Sequence, residues 1–146
     1  MDLGTVLNGI EVLSFTGERK REIENIAFDS RRVTENSLFV AVRGSKSDGH
    51  EFIASAVSSG STAVICEKLP ENPAQNVSWI ITGDSARALG QVSSNFFGNP
   101  SSALKLTGVT GTNGKTTIAT LLYRLFTGLG YRCGLFSTVC NYIVDR

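Results

Sequence analysis

From residue 23 to residue 97 the chain sets short apolar runs between polar, glycine-containing breaks, and this rhythm predicts an α/β fold. Leu38–Val42 (LFVAV) and Thr62–Cys66 (TAVIC) are unbroken apolar runs, too short for helices and right for strands buried on both faces. Ile23–Phe28 and Trp79–Thr82 read as two further strands. Glu51–Ser59 places Phe52, Ile53, Ala56 and Val57 at helical spacing, and Gly60 follows where a C-terminal cap belongs. Asp84 or Ser85 can cap a helix that turns Leu89, Val92, Phe96 and Phe97 inward. Asp2 can cap a short first helix with Leu3, Val6, Leu7 and Ile10 on one face. Gly44–Gly49 (GSKSDG) and the proline-bearing Leu69–Asn76 (LPENPAQN) are loops.

Gly98-Asn-Pro-Ser-Ser102 interrupts the pattern. We therefore expect a first domain over residues 1–97, a linker over 98–102, and a second domain from 103 to 146. In the second, Leu104–Val109 (LKLTGV) predicts a short buried strand. Thr117–Leu129 carries Ile118, Leu121, Leu122, Leu125 and Leu129 at helical spacing. Gly134–Val139 (GLFSTV) predicts another strand. A lone βαβ unit cannot cover both faces of a parallel sheet. The expectation is that the chain is the N-terminal part of a longer protein.

Composition narrows the function classes. Of 146 residues, 41% are hydrophobic and 18% charged, which suits a globular fold with a sizeable core. A formal net charge of +1 argues against nucleic-acid binding, which needs a basic face. Arg19-Lys20-Arg21 is too short to supply one and reads as a solvated loop. The chain lacks the run of about 18 apolar residues that a membrane span requires, so no membrane partner is expected. The N-terminal sequence does not resemble a signal peptide. Three cysteines, Cys66, Cys133 and Cys140, suit buried free thiols in a reducing cytoplasm.

The candidate chemistry lies in Gly108-Val-Thr-Gly111-Thr-Asn-Gly114-Lys115-Thr116-Thr117, between the predicted strand and helix. A glycine-rich turn opening a helix aims backbone N–H groups and the positive end of the helix dipole at one point, where a polyphosphate fits. Gly111 and Gly114 permit close backbone approach. Lys115 would reach the β- and γ-phosphates of a nucleotide, and the Thr116 hydroxyl would ligate Mg²⁺. Thr112, Asn113 and Thr117 complete the cradle. The loop is a variant of the common G-x-x-x-x-G-K-[ST] pattern, since Val109 stands where that pattern has glycine. The bland alternative is an ordinary βα turn with a solvated lysine. Strand, loop, Lys-Thr-Thr and amphipathic helix agree in order and register, which favours the nucleotide.

Val109-Thr-Gly-Thr-Asn-Gly-Lys-Thr-Thr117 resembles the ATP loop of the Mur ligase family. Phe28-Asp-Ser-Arg31, Ser37-Leu-Phe-Val-Ala-Val-Arg-Gly44 and Asp48-Gly-His-Glu-Phe-Ile53 resemble the N-terminal domain of its members that add the third residue of the peptidoglycan stem peptide. Members adding the D-Ala-D-Ala dipeptide have a similar first domain, but their loop more often reads T-G-S-x-G-K-T. Thr112-Asn113 and Ser137-Thr-Val-Cys-Asn141 favour the former. Cys140 departs from the family, which usually has glycine there.

The resemblance implies an ATP- and Mg²⁺-dependent amide ligase. Such a ligase joins an amino acid to UDP-MurNAc-L-Ala-D-Glu through an acyl phosphate, with Lys115 as the catalytic cation. It implies that Phe28, Ser30, Ser45, Lys46 and Ser47 meet the uridine diphosphate end of that substrate, and that Asn141 contacts substrate as well. It places the substrate-carboxylate contacts, a carbamylated lysine and the amino-acid-selecting domain after residue 146, so these 146 residues alone should show no turnover. Without it, Asp29-Ser30-Arg31 reads as a turn with a local ion pair, and Ser45-Lys46-Ser47 as a surface loop. His50, the one histidine, reads as a capping or packing residue, and Trp79, Phe96 and Phe97 as core. Two rival classes remain: an unrelated phosphate-loop kinase or ATPase, and a nucleotide-sugar-binding module without chemistry. About a hundred residues with their own core precede the loop, whereas a kinase usually opens with it.

Overall fold

The computed structural model describes residues 1–44 and 47–143. They form two compact units, Met1–Ala103 and the residues from Leu104 onward.

The first unit is built on a five-stranded sheet in the order β1-β5-β4-β3-β2. The strands are β1 (Ser14–Thr16), β2 (Asn25–Ala27), β3 (Ser37–Val40), β4 (Ser61–Cys66) and β5 (Ser78–Ile81). β2 to β5 are parallel, and β1 runs antiparallel on β5. The apolar runs are unbroken because both faces are covered. Leu38, Val40, Ala63, Ile65 and Ile80 pack with Leu3 and Val6 of α1 (Leu3–Val6) and with Ala88 and Val92 of α3 (Ser85–Phe96). Phe39, Ala41, Val64, Cys66 and Trp79 face the opposite way, onto Ile53 and Ala56 of α2 (Ile53–Ser58). Successive residues of each run thus enter different cores, as the two-residue period of a strand dictates.

Local chemistry sets the element ends. Asp2 caps α1 by accepting from Thr5 N–H (3.0 Å), and Asp84 caps α3 by accepting from Arg87 N–H (2.8 Å). Gly60, at φ +106°, stops the chain after α2. The first unit departs from the sequence reading at three points. The segment predicted as helix from residue 51 opens as a 3-10 turn, Gly49–Phe52, because Asp48 accepts His50 N–H (2.9 Å) and tightens it, so α2 starts at Ile53. Phe97 is 70% exposed, because it is the C-cap of α3 and leaves the inward face; it meets only the edge of Phe96, with centroids 5.3 Å apart. β1 was not predicted. Arg19 and Lys20 are exposed in a turn, as a solvated loop requires, and the backbone carbonyls at Arg21 and Arg19 also accept from Leu3 and Gly4 N–H (2.8 and 3.0 Å), seating the start of α1.

In the second unit, α4 (Lys115–Gly128) is followed by a hairpin of β6 (Gly134–Phe136) and β7 (Asn141–Ile143). Tyr123 of α4 stacks on Tyr142 of β7 with centroids 5.4 Å apart. The strand expected over Leu104–Val109 is not formed. A ladder needs a partner, none of the described residues pairs with this segment, and Leu106 is left 92% exposed. The strand expected over Gly134–Val139 stops at Phe136, where Ser137–Cys140 turns the chain back. Among the described residues no helix is long and apolar enough to cross a membrane.

Cys66 is fully buried at the end of β4, and burial pushes its thiol up to about 11 from an ordinary 9.0. Between those values the unfolded chain ionises first, so raising the pH from 9 to 11 should remove about 2 kcal/mol of the first unit's stability. Urea titrations across that range check this, and a flat profile would contradict it. At pH 8, iodoacetamide should label the half-buried Cys133 and Cys140 and spare Cys66.

Candidate functional site

The loop at 111–117 is shaped by two glycines. Gly111 (φ +149°) and Gly114 (φ +76°) both occupy the left-handed half of backbone space, where a side chain is strained. Gly114 is the N-cap of α4 and offers no side chain to cap it. The first bond across the helix start is Ile118 N–H to Gly114 C=O (2.9 Å). The N–H groups of Lys115, Thr116 and Thr117 precede it and lie in the first turn, whose donors have no intrahelical acceptor. Together with the helix dipole they form an anion-seeking surface, and no acidic residue lies in that turn. The Lys115 ammonium is folded over the loop, donating to the carbonyls of Gly111 and, at 3.1 Å, Thr112. A cation is thereby fixed within the same turn as the free N–H groups. Thr116 is half-buried, and its hydroxyl has no partner among the described residues; Thr112, Asn113 and Thr117 are exposed. These donors, one cation and one free hydroxyl suit a magnesium-bound polyphosphate, and a side chain at either glycine would disturb the cradle.

The residues expected on the substrate side lie in the first unit, where β2 and β3 run parallel and deliver their C-terminal ends to one edge of the sheet. Phe28, just past β2, is 63% exposed, although its neighbour Ala27 is buried. Asp29 caps the 3-10 turn Ser30–Arg32, accepting from Arg31 N–H (3.1 Å). The Arg31 guanidinium grips the same carboxylate at 2.7 and 2.9 Å. That side-chain contact first, and the backbone bond second, pull the Asp29 carboxyl down to about 2. Asp29 is therefore occupied within the turn. Ser30 is half-buried, and its hydroxyl has no partner among the described residues. An exposed aromatic ring and a free hydroxyl two residues apart have the chemistry to stack on and hydrogen-bond a heterocycle.

From the next strand end, Gly44 N–H donates to Ser47 C=O (3.0 Å) and Gly49 N–H to Val42 C=O (2.9 Å), which closes a loop stem. Ser47 is exposed; Ser45 and Lys46 lie outside the described residues. Beside the stem is a pocket of about 290 Å³ lined by Arg43, Asp48, His50, Ile53, Lys68 and Leu69 among others. His50 has two partners: Asp48, two residues away, at 2.6 Å and, hidden by sequence separation, Glu67 N–H at 2.9 Å. Arg43 Nε reaches both Asp48 (3.5 Å) and Glu67 (3.4 Å). A second pocket, about 160 Å³ around Ile10, Leu13 and Arg87, is lined by none of the expected site residues.

Asn141, in the second unit, accepts from Ser137 N–H (3.2 Å) and so closes the β6–β7 turn with its oxygen. Cys140 sits in that turn at an ordinary negative φ, so the position does not require glycine, and its carbonyl accepts from the Ser137 hydroxyl (2.7 Å).

Residues 22–97, slightly more than half of the chain, match the Mur ligase family, catalytic domain. The chain belongs to the Mur ligase family. It is 50% identical, over 146 residues, to the UDP-N-acetylmuramoyl-L-alanyl-D-glutamate–2,6-diaminopimelate ligase of Bacteroides fragilis, covering all of this chain and 30% of that protein. It is 51% identical over 147 residues to the protein of the same name from Cytophaga hutchinsonii, with the same coverage. Its fold matches a solved structure of a ligase of that name with a TM-score of 0.71 at 24% identity, across 100% of this chain and 29% of the other. This Mur ligase chain thus spans about 30% of the length of the curated relatives it matches. Family membership removes the unrelated kinase or ATPase. The matched segment lies wholly within the first unit, so the loop at 111–117 contributes separately to the functional argument.

Proposed function

We propose that this chain is the substrate- and phosphate-gripping part of a cytoplasmic ligase. The ligase joins 2,6-diaminopimelate to UDP-N-acetylmuramoyl-L-alanyl-D-glutamate at the expense of ATP, in peptidoglycan precursor synthesis. The observation that carries the reading is the turn at 111–117, where a glycine-capped helix start and the Lys115 ammonium converge, in a chain half identical from end to end to relatives of that name. Residues 1–97 would hold the uridine diphosphate end, 98–102 would link, and residues from 103 would begin the ATP domain.

Gly111, Thr112, Asn113, Gly114 and Thr117 would cradle the phosphates, and Thr116 would hold Mg²⁺. ATP supplies the phosphoryl group that activates the substrate carboxylate as an acyl phosphate before an amine displaces it. Lys115 would leave the carbonyls of Gly111 and Thr112 for the transferring phosphate, and the N–H groups of α4 would stabilise charge as it grows there. At the other end Phe28 would pack on the uracil, Ser30 would hydrogen-bond the nucleoside, and Ser45, Lys46 and Ser47 would face the diphosphate. Asn141, with its amide NH₂ left over from the turn, would contact substrate.

The test is amide formation by the full-length protein from UDP-N-acetylmuramoyl-L-alanyl-D-glutamate, ATP and 2,6-diaminopimelate. Release of phosphate without product, or strict use of another amino acid, refutes the assignment. The 146 residues alone should bind ATP only at millimolar strength or weaker, because a few charge-assisted bonds of about 1.5–3 kcal/mol offset little more than the cost of association. Ser30→Ala should weaken UDP binding by about three- to tenfold, the value of one neutral hydrogen bond. Calorimetry decides, and an unchanged dissociation constant takes Ser30 out of the site.

A further inference from the structure

His50 is largely buried, and its hydrogen bonds settle its tautomer. Glu67 N–H can only donate, so Nε2 must accept from it at 2.9 Å, and the ring proton sits on Nδ1, which donates to Asp48 at 2.6 Å. Asp48 belongs to the loop stem that carries Ser47. Glu67 directly follows β4, and its carboxylate accepts from Ser85 N–H (3.3 Å) and Oγ (3.0 Å) at the start of α3. One imidazole therefore connects the stem to two other elements of the first unit, and Arg43 reinforces the link by lying between the two carboxylates.

We propose that His50 is a positioning residue for the uridine diphosphate end of the substrate: its neutral Nδ1–H imidazole sets the Ser47-bearing stem against the end of β4. This rests on the reading that the first unit binds that end of the substrate. The contact across the fold to Glu67 is the one that positions, because Asp48 also accepts His50 N–H and so keeps its hold on the turn without the ring.

Glutamine and asparagine separate the two contacts. His50→Gln can place an amide oxygen near the Nε2 position and accept from Glu67 N–H; His50→Asn reaches only Asp48. UDP is titrated into the chain and its variants by calorimetry, with thermal unfolding measured alongside. His50→Ala and His50→Asn should each weaken UDP by about tenfold or more, whereas His50→Gln should stay within about threefold of the parent. Because the chain has a single histidine, its ring nitrogens give unobscured long-range ¹H–¹⁵N signals, and these should report the Nδ1–H form. Folded His50→Ala or His50→Asn protein that binds UDP like the parent overturns the role, as does an Nε2–H ring. If His50→Ala does not fold, the comparison of asparagine with glutamine decides, and equal affinities overturn the role. A parent chain that fails to bind UDP overturns the underlying reading and this one with it.

Discussion

Gly49→Ala is expected to destabilise the first unit by about 3 kcal/mol, lowering its unfolding temperature by roughly 10–20 °C. A Cβ at this position would lie 2.6 Å from Val42 O, 2.7 Å from Val42 N and 3.3 Å from the Ala41 carbonyl carbon. All three are backbone atoms of the segment leaving β3, so no side chain can rotate aside. The substitution must instead push apart the stem that Gly49 N–H closes onto Val42 C=O at 2.9 Å, and the Asp48–His50 contacts beside it would follow. UDP affinity should fall along with stability. Gly90→Ala is the control: it lies within α3, its added Cβ meets nothing within 4 Å, and it should stabilise by about 0.5–1 kcal/mol. Urea unfolding of the two variants checks both signs. A loss below about 1 kcal/mol at residue 49 would mean the stem yields more readily than its backbone contacts imply.

Lys115→Ala should act on chemistry and leave stability alone. Lys115 is exposed, and its two acceptors are loop carbonyls open to water, so its removal uncovers no buried partner. What disappears is the one side-chain cation that, among the described residues, is held within the loop at the start of α4. Loss of one preorganised donor from a charge-developing site slows turnover by about 100- to 1,000-fold, and loss of a full positive charge should reach the upper end. Lys115→Arg should restore little, because a planar guanidinium cannot occupy the point that a compact ammonium fills between two carbonyls. Steady-state rates of the full-length ligase, with circular dichroism as the folding control, measure this. Turnover within a factor of about ten of the parent would remove Lys115 from phosphoryl transfer.

Which parts of this molecule its sequence discloses follows from how local the deciding forces are. β3, β4 and β5 are legible because burial on both faces writes itself as an apolar run. The glycine-rich turn that opens α4 is legible because glycines, lysine and helix start are consecutive. β1 is not, since Ser14-Phe15-Thr16 holds one apolar residue and owes its existence to β5, more than sixty positions away. Leu104–Val109 misleads in the opposite direction: its hydropathy is strand-like, but a ladder depends on a neighbour, which hydropathy does not encode. His50 shows the same limit at a site. Asp48 is two residues off and visible, whereas the Glu67 amide that fixes the ring's tautomer is seventeen away and contributes no side-chain signal.

The antiparallel placement of β1 has a further consequence. It caps β5, so the sheet's free borders fall to β1 and β2, each three residues long. So short a border gives an incoming strand from another molecule too few positions to pair with. Crowded solutions of the first unit should therefore resist growth into fibres, and any self-adhesion of the chain should come from the uncovered leucines of α4 rather than from its main sheet.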